Sequence, residues 1–108
     1  MLYENVFIFS GQLSKKSAED KFQESLDEIT KAGGEVLKEE YWGLRDLAYK
    51  IKKNSKGYYF MINCQCNPRI FESFNIKVKQ DLGFLRFMTI KIKEVEKEPS
   101  LLLESKES

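Results

Sequence analysis

The chain has 108 residues, of which 42% are hydrophobic and 32% charged, with two cysteines, no histidine and a net charge of +1. A chain of this size forms one domain around a single core, and it contains no apolar run of the ~18 residues needed to cross a bilayer. Because histidine is the usual general base near neutral pH, its absence argues against acid–base catalysis.

The first element is predicted to be a β-strand. Residues 3–9 are rich in aromatic and β-branched side chains, and Ser10 and Gly11 end the run. The first residues lack the basic start and the small-residue cleavage site of a signal peptide, so a cytoplasmic protein is expected.

An amphipathic helix is predicted next. Ser14 stands where an N-cap belongs, and Gly33 and Gly34 supply the left-handed conformation that ends a helix. Between them, apolar residues recur at spacings of four, four and three, which indicates one buried face. The residues of this stripe are Ala18, Phe22, Leu26 and Ile29.

Residues 35–53 have the composition of a strand that is too long to stay flat, and Gly43 is the expected position of a bulge. Residues 54–57 have turn chemistry, so residues 58–66 are expected to return as an antiparallel partner. Cys64 and Cys66 then share a face of that strand. With no further cysteine or histidine available, both are interpreted as structural thiols, and no metal site is predicted.

The second half of the chain adds a helix and a strand. Asn67 and Pro68 have the composition of a helix start, and Phe71, Phe74 and Val78 form its apolar stripe. Residues 84–93 are predicted to be the last strand, with Phe84, Arg86, Met88, Ile90 and Ile92 on one face. Residues 1–93 form the domain, and the acidic residues 94–108 are predicted to be a disordered tail whose leucines at 101–103 could dock on a partner.

The predicted order is strand, helix, strand, strand, helix, strand. This order is typical of an α+β fold of the ferredoxin-like split βαβ type, with a four-stranded antiparallel sheet and two helices on one face. The other face of the sheet is left uncovered and available for binding. Many functions use this fold, so the fold alone does not identify one.

The charges are unevenly distributed along the chain. Ten cations lie between Lys50 and Lys93 against only Glu72 and Asp81, whereas residues 94–108 carry two cations and five anions. Residues 41–53 combine large aromatic side chains with an arginine and a run of lysines, and this mixture suits an anionic polymer whose phosphates are held by charge. An ordinary half-buried strand with a solvated outer face is the alternative.

The sequence contains no convincing motif for catalysis or for the recognition of RNA bases. The carboxylates of the first helix are spaced as a solvated polar face, and no phosphate-binding loop accompanies Arg45 or Arg86. The chain is therefore not expected to be an enzyme, and no cofactor or small-molecule substrate is predicted. The stacking signature of RNA-recognition modules fails, because Tyr59 replaces a small residue and Asn63 replaces the second stacking ring.

Several motifs resemble a known family in a consistent order along residues 2–93. They are Tyr3-Glu4, Gly33-Gly34-Glu35-Val36, Trp42-Gly43-Leu44-Arg45, Leu47-Ala48-Tyr49, Lys56-Gly57-Tyr58-Tyr59 and Phe84-Leu85-Arg86-Phe87. In these motifs the chain resembles the bacterial-type family of small-subunit ribosomal protein six. The resemblance implies a structural, ribosome-associated protein that binds the central domain of small-subunit rRNA. It also implies a heterodimer with small-subunit ribosomal protein eighteen.

Two residues depart from the family pattern. Asp46 stands where a second basic residue is frequent, and it is expected to pair with a cation instead of a phosphate. Lys50 stands where proline is usual, which puts a strand kink there in doubt.

The mechanism implied by the resemblance is phosphate neutralisation with recognition of RNA shape. A free-standing RNA-recognition or small-ligand regulatory module of the same fold is the alternative function. The cationic residues predicted to contact RNA are Arg45, Lys50, Lys52, Lys53, Arg86, Lys91 and Lys93. The residues predicted to offer packing or stacking surfaces are Tyr3, Trp42 and Tyr49.

Overall fold

Four strands and two helices follow one another in the predicted order in a computed structural model that describes residues 1–100. The leucines at 101–103 lie outside the described residues. The elements are β1 (Leu2–Ser10), α1 (Lys15–Lys31), β2 (Glu35–Ile51), β3 (Asn54–Gln65), a 3₁₀ turn (Pro68–Ile70), α2 (Phe71–Gln80) and β4 (Phe84–Ile92). The sheet has the order β2-β3-β1-β4, and each pair of neighbouring strands is antiparallel. The split βαβ architecture is thereby confirmed.

The core lies between the sheet and the two helices. The Ser14 side chain accepts a hydrogen bond from the Ser17 N–H at the start of α1, as predicted, and the predicted stripe of α1 is buried. Phe7 of β1 is fully buried at the centre, where the centroids of five other phenylalanine rings lie 5.2–6.1 Å from its own. Alternate residues of β1 and β3 therefore face the helices, and the intervening residues form the open face of the sheet.

The face assignment predicted for β4 is wrong at its first residues. The register between β1 and β4 shifts between Ile8 and Phe9, so Phe84 pairs with Phe9 while Arg86 pairs with Ile8. Phe84 is 2% exposed in the core, whereas Arg86 is exposed on the opposite side. A bulge adds one residue to one strand only, and it therefore interrupts the alternation from which the faces were predicted.

The turn between β2 and β3 lies earlier than the predicted residues 54–57. Lys52 and Lys53 form it with positive φ angles of 49° and 67°, the sign that a two-residue type I′ hairpin turn requires. Asn54 is already in β3, where its Nδ2 donates to the carbonyl oxygens of Ile51 and Lys52. Its Oδ1 accepts a hydrogen bond from Ser10 Oγ at 2.6 Å, which joins the turn to the end of β1.

Residues 94–100, here called the C-terminal strap, have no regular secondary structure and run back to β2. Lys38 Nζ donates to the main-chain carbonyl oxygens of Glu96 at 2.7 Å and Glu98 at 2.8 Å. The Ser100 N–H donates to Glu40 Oε2 at 2.9 Å. The strap is therefore attached to the strand at the outer edge of the sheet.

Candidate nucleic-acid interface

A bulge in β2 places Trp42 on the open face. The register between β2 and β3 shifts between Tyr41 and Gly43, and Gly43 has a φ of 95° that other residues rarely adopt. The Trp42 ring is 9% exposed, and its Nε1–H donates to Glu40 Oε1 at 2.8 Å. Trp42 is therefore a packing residue in the free chain, and its ring presents little surface on which a base could stack.

Beyond Trp42, β2 bends across one end of the open face. Leu47 of this segment lies over Gly57 of β3, where a Cβ would stand 3.5 Å from Leu47 Cδ2 and only 2.6 Å from Ile8 Cγ2 on β1. Further along, Arg86 Nη1 on β4 donates to Tyr49 Oη at 3.3 Å. Since β2 and β4 are the two edge strands of the sheet, this contact joins opposite edges across the open face.

Four of the predicted cations gather at this end, here called the basic end: Arg45, Lys50, Lys53 and Arg86. Lys50, Lys53 and Arg86 are exposed, and Arg45 is half-buried with its Nε donating to the Trp42 carbonyl oxygen at 2.7 Å. Tyr49 is 63% exposed beside them. Proteins that bind single-stranded RNA use such a combination, in which the ring stacks on a base and the cations neutralise phosphates.

Asp46 pairs with a cation, as expected from its place in the motif. Its Oδ1 lies 4.0 Å from Lys56 Nζ on β3, and both side chains are more than half exposed. Such a pair contributes little to stability and is screened by salt, so Lys56 remains available to a stronger anion.

Lys52 differs from its neighbour Lys53, although both belong to the same turn. Lys52 Nζ donates to the carbonyl oxygens of Val78, Asp81 and Phe84, with the latter two bonds at 3.1 Å. The ammonium group thus joins the turn to the end of α2 and the start of β4. All three N–H donors of this ammonium group are used by carbonyl groups of the protein. A phosphate could bind Lys52 only by replacing one of these partners.

The remaining predicted residues lie at the other end of β4. Lys91 is opposite Tyr3 in the register, and Lys91 and Lys93 are both exposed. Tyr3 is 8% exposed in the core, where its ring meets the edge of Phe71 at a centroid distance of 5.1 Å. The structure therefore divides the predicted set, and Lys91 and Lys93 are not part of the basic end.

The thiols have the environment of structural cysteines. Cys64 and Cys66 are free, with their sulfur atoms 3.7 Å apart. Burial and the neighbouring Cys66 raise the pKa of Cys64 to about 12, and burial also raises the pKa of Cys66. A thiol that stays protonated at neutral pH is a poor nucleophile. Within residues 1–100 there is no cluster of three or more histidine, cysteine or acidic residues that could hold a metal ion.

Comparison with known proteins identifies the family. A family model described as ribosomal protein S6 matches residues 2–91. The chain belongs to the ribosomal protein S6 family. A small ribosomal subunit protein bS6 from Paramagnetospirillum magneticum is 38% identical over 97% of this chain and 73% of the relative. A second bS6, from Rickettsia canadensis, is also 38% identical, over 95% of this chain and 85% of the relative.

A solved structure has the same fold as this S6 family member. The crystal structure of 30S ribosomal protein S6 from Thermotoga maritima superposes with a TM-score of 0.73 over 82% of this chain and 84% of that one. At 24% identity this likeness shows the fold alone. The family is one of structural proteins of the small ribosomal subunit, so the expectation that the chain is not an enzyme is confirmed. No helix among the described residues is long and apolar enough to span a membrane.

The structure also shows two polar residues of β2 that were not selected from the sequence, Lys38 and Glu40. They alternate with Leu37 and Glu39 along β2, and in the register they lie opposite Asn63 and Met61 of the open face. Glu40 is 7% exposed and interacts with Trp42, Lys38 and the strap. The spacing Lys38, Glu40, Trp42 places all three on one face of a strand, and it was the available signal.

Proposed function

We propose that the chain binds the central domain of small-subunit rRNA through the basic end, together with small-subunit ribosomal protein eighteen. The observation that carries this proposal is the Tyr49–Arg86 contact across the open face. It brings the cations of the β2–β3 hairpin and the cation of β4 onto one surface. Family membership supports a role in the small subunit, and the charge of this surface supports the RNA as its ligand there.

The mode of binding follows from the residue types at the basic end. Lysine and arginine neutralise phosphates without reading sequence, and the bidentate guanidinium of Arg86 also fixes the direction of a phosphate. Trp42 is buried and Tyr49 is the one exposed ring among the three aromatic residues singled out in the sequence. Recognition is therefore by charge and RNA shape, with Tyr49 as a single stacking surface.

Binding to an rRNA fragment of the central domain is expected to weaken steeply with salt. The four cations of the basic end each release about 0.7–0.9 counterions, so a plot of log affinity against log salt should have a slope of about −3 to −4. The affinity would be measured by filter binding across a series of KCl concentrations, with the partner protein present. An affinity that barely changes across the series would contradict the proposal.

Replacing Arg86 by glutamine is expected to weaken RNA binding without unfolding the protein. The change removes the charge from an exposed side chain, so the salt slope should become shallower by about 1, while the free energy of unfolding changes by less than about 0.5 kcal/mol. Arg69→Gln is the matched control, because Arg69 is exposed in the 3₁₀ turn on the helix side. A large loss of stability in Arg86→Gln with unchanged RNA affinity would assign Arg86 a structural role.

A further inference from the structure

The side chains of Lys38 and Glu40 hold the C-terminal strap through hydrogen bonds to its main chain. Lys38 Nζ donates to two carbonyl oxygens, at 2.7 and 2.8 Å, and Glu40 Oε2 accepts a hydrogen bond from one N–H, at 2.9 Å. The donors and acceptors on the strap are therefore groups that almost every residue carries. These three hydrogen bonds do not depend on the side chains of the strap, so a segment of different sequence could make them.

Lys38 and Glu40 together form a site for a ligand that carries both hydrogen-bond acceptors, which Lys38 binds, and hydrogen-bond donors, which Glu40 binds. Their charged atoms lie 3.6 Å apart, and the side chains are 17% and 4% exposed. The Trp42 Nε1–H holds the other oxygen of the Glu40 carboxylate at 2.8 Å, which fixes its direction. We call these three residues the clamp.

An extended polypeptide fits this chemistry, and RNA does not. The carbonyl groups of a peptide suit the ammonium group of Lys38, and its N–H groups suit the carboxylate of Glu40. A phosphate could approach Lys38 but would meet the negative charge of Glu40 at 3.6 Å from it. In addition, β2 is an edge strand of the sheet, and an extended peptide can pair with such a strand through its main chain.

We propose that the clamp is a binding site for an extended segment of the partner protein, and that the strap occupies this site until the heterodimer forms. The inference rests on the proposed function, because it assigns the partner of that function a place on this chain. Binding then exchanges one main chain for another at the same two side chains, Lys38 and Glu40. The apparent affinity for the partner is reduced by the fraction of molecules in which the strap is bound.

Two substitutions in the full-length chain separate the clamp from the strap. Ser100→Pro removes the N–H that Glu40 accepts, so the strap is loosened while the clamp stays intact. Lys38→Met removes the ammonium group and loosens the strap as well, but it also damages the clamp. Lys16→Met is the matched control, because Lys16 pairs with Asp20 on α1 and its side chain is 81% exposed.

The affinity for recombinant ribosomal protein eighteen is expected to change in opposite directions. In calorimetric titrations, Ser100→Pro should bind about threefold to tenfold more tightly than the unmodified chain, and Lys38→Met should bind at least about tenfold more weakly. Lys16→Met should bind as the unmodified chain does. If both Ser100→Pro and Lys38→Met bound ribosomal protein eighteen more tightly, the strap would cover the surface and the clamp would not bind the partner. If neither variant changed the affinity, strap and clamp would have no part in partner binding. Either result overturns the proposal. Stronger rRNA binding by both variants, with partner affinity unchanged, would overturn it in favour of RNA.

A second measurement tests the clamp without the partner. The chain has one tryptophan, so its single indole N–H signal in an NMR spectrum reports on the hydrogen bond from Trp42 to Glu40. A synthetic peptide with the sequence of residues 94–108 should shift this signal in Ser100→Pro and leave it unchanged in Lys38→Met. An unmoved signal in Ser100→Pro at millimolar peptide would overturn the clamp. Failure of every variant to bind ribosomal protein eighteen, with the peptide shift present, would instead count against the proposed function.

Discussion

Replacing Phe7 by alanine is expected to lower the free energy of unfolding by about 3–5 kcal/mol, the range for removing a buried phenylalanine side chain. Phe7 has no exposed surface, and it contacts rings from β1, both helices and β4. The alanine variant would leave a cavity where the sheet and both helices meet, and close packing there prevents the neighbours from filling it. Urea unfolding followed by circular dichroism measures the loss.

A milder variant and a surface control make the result interpretable. Phe7→Leu should lose less than half as much, because most of the buried volume is kept. Met88→Ala changes the open face of β4 where the side chain is 39% exposed, and its effect should stay below about 1 kcal/mol. Equal losses at Phe7 and Met88 would mean that the open face contributes to the core as much as the helix face does.

The sequence predicted the elements correctly wherever a short-range pattern specifies them. The stripe of Phe22, Leu26 and Ile29 requires only the helical period, and the N-cap of Ser14 requires only its neighbours. The Gly43 bulge was also predicted, since a positive φ within a long strand is a property of the residue itself. Each of these features depends on a few neighbouring residues, so it can be predicted from a short segment of the sequence without knowledge of the rest of the fold.

The errors concern features that are set by another part of the chain. The bulge at the start of β4 arises from its pairing with β1, so no periodicity within residues 84–93 reveals it. Asn54 has the composition of a turn residue, yet its amide bonds place it after the turn, and two lysines adopt the left-handed conformation instead. The contact of Ser10 with Asn54 links residues that are 44 positions apart.

The candidate site was predicted in part for the same reason. Cationic residues can be counted along a chain, and four of those selected lie at the basic end. Which cations are already occupied depends on tertiary contacts, and Lys52 became visible as a structural residue only through its carbonyl partners. The strap is a stronger case, because side chains that bind main-chain atoms leave no pattern in the sequence of the segment they hold.

Replacing Lys52 by methionine is expected to lower the free energy of unfolding by about 2–3 kcal/mol. Methionine keeps the apolar stem of the side chain but leaves the carbonyl groups of Val78, Asp81 and Phe84 without the ammonium group, and hydrogen bonds to charged groups are worth about 1.5–3 kcal/mol. The salt slope of RNA binding should stay the same, because this charge is already used inside the protein. Urea unfolding and the KCl series measure the two effects on one preparation.

Lys53→Met is the matched comparison, and it should give the reverse result. Lys53 is the adjacent residue in the same turn, with a similar positive φ of 67° and an exposed side chain. Its loss should change the free energy of unfolding by less than about 0.5 kcal/mol, and the salt slope should become shallower by about 1. If both lysines changed the salt slope equally and neither changed stability, Lys52 would contact RNA and its carbonyl contacts would contribute nothing. The two residues have the same charge and adjacent positions, so a difference between them isolates the effect of the partners that the fold gives to Lys52.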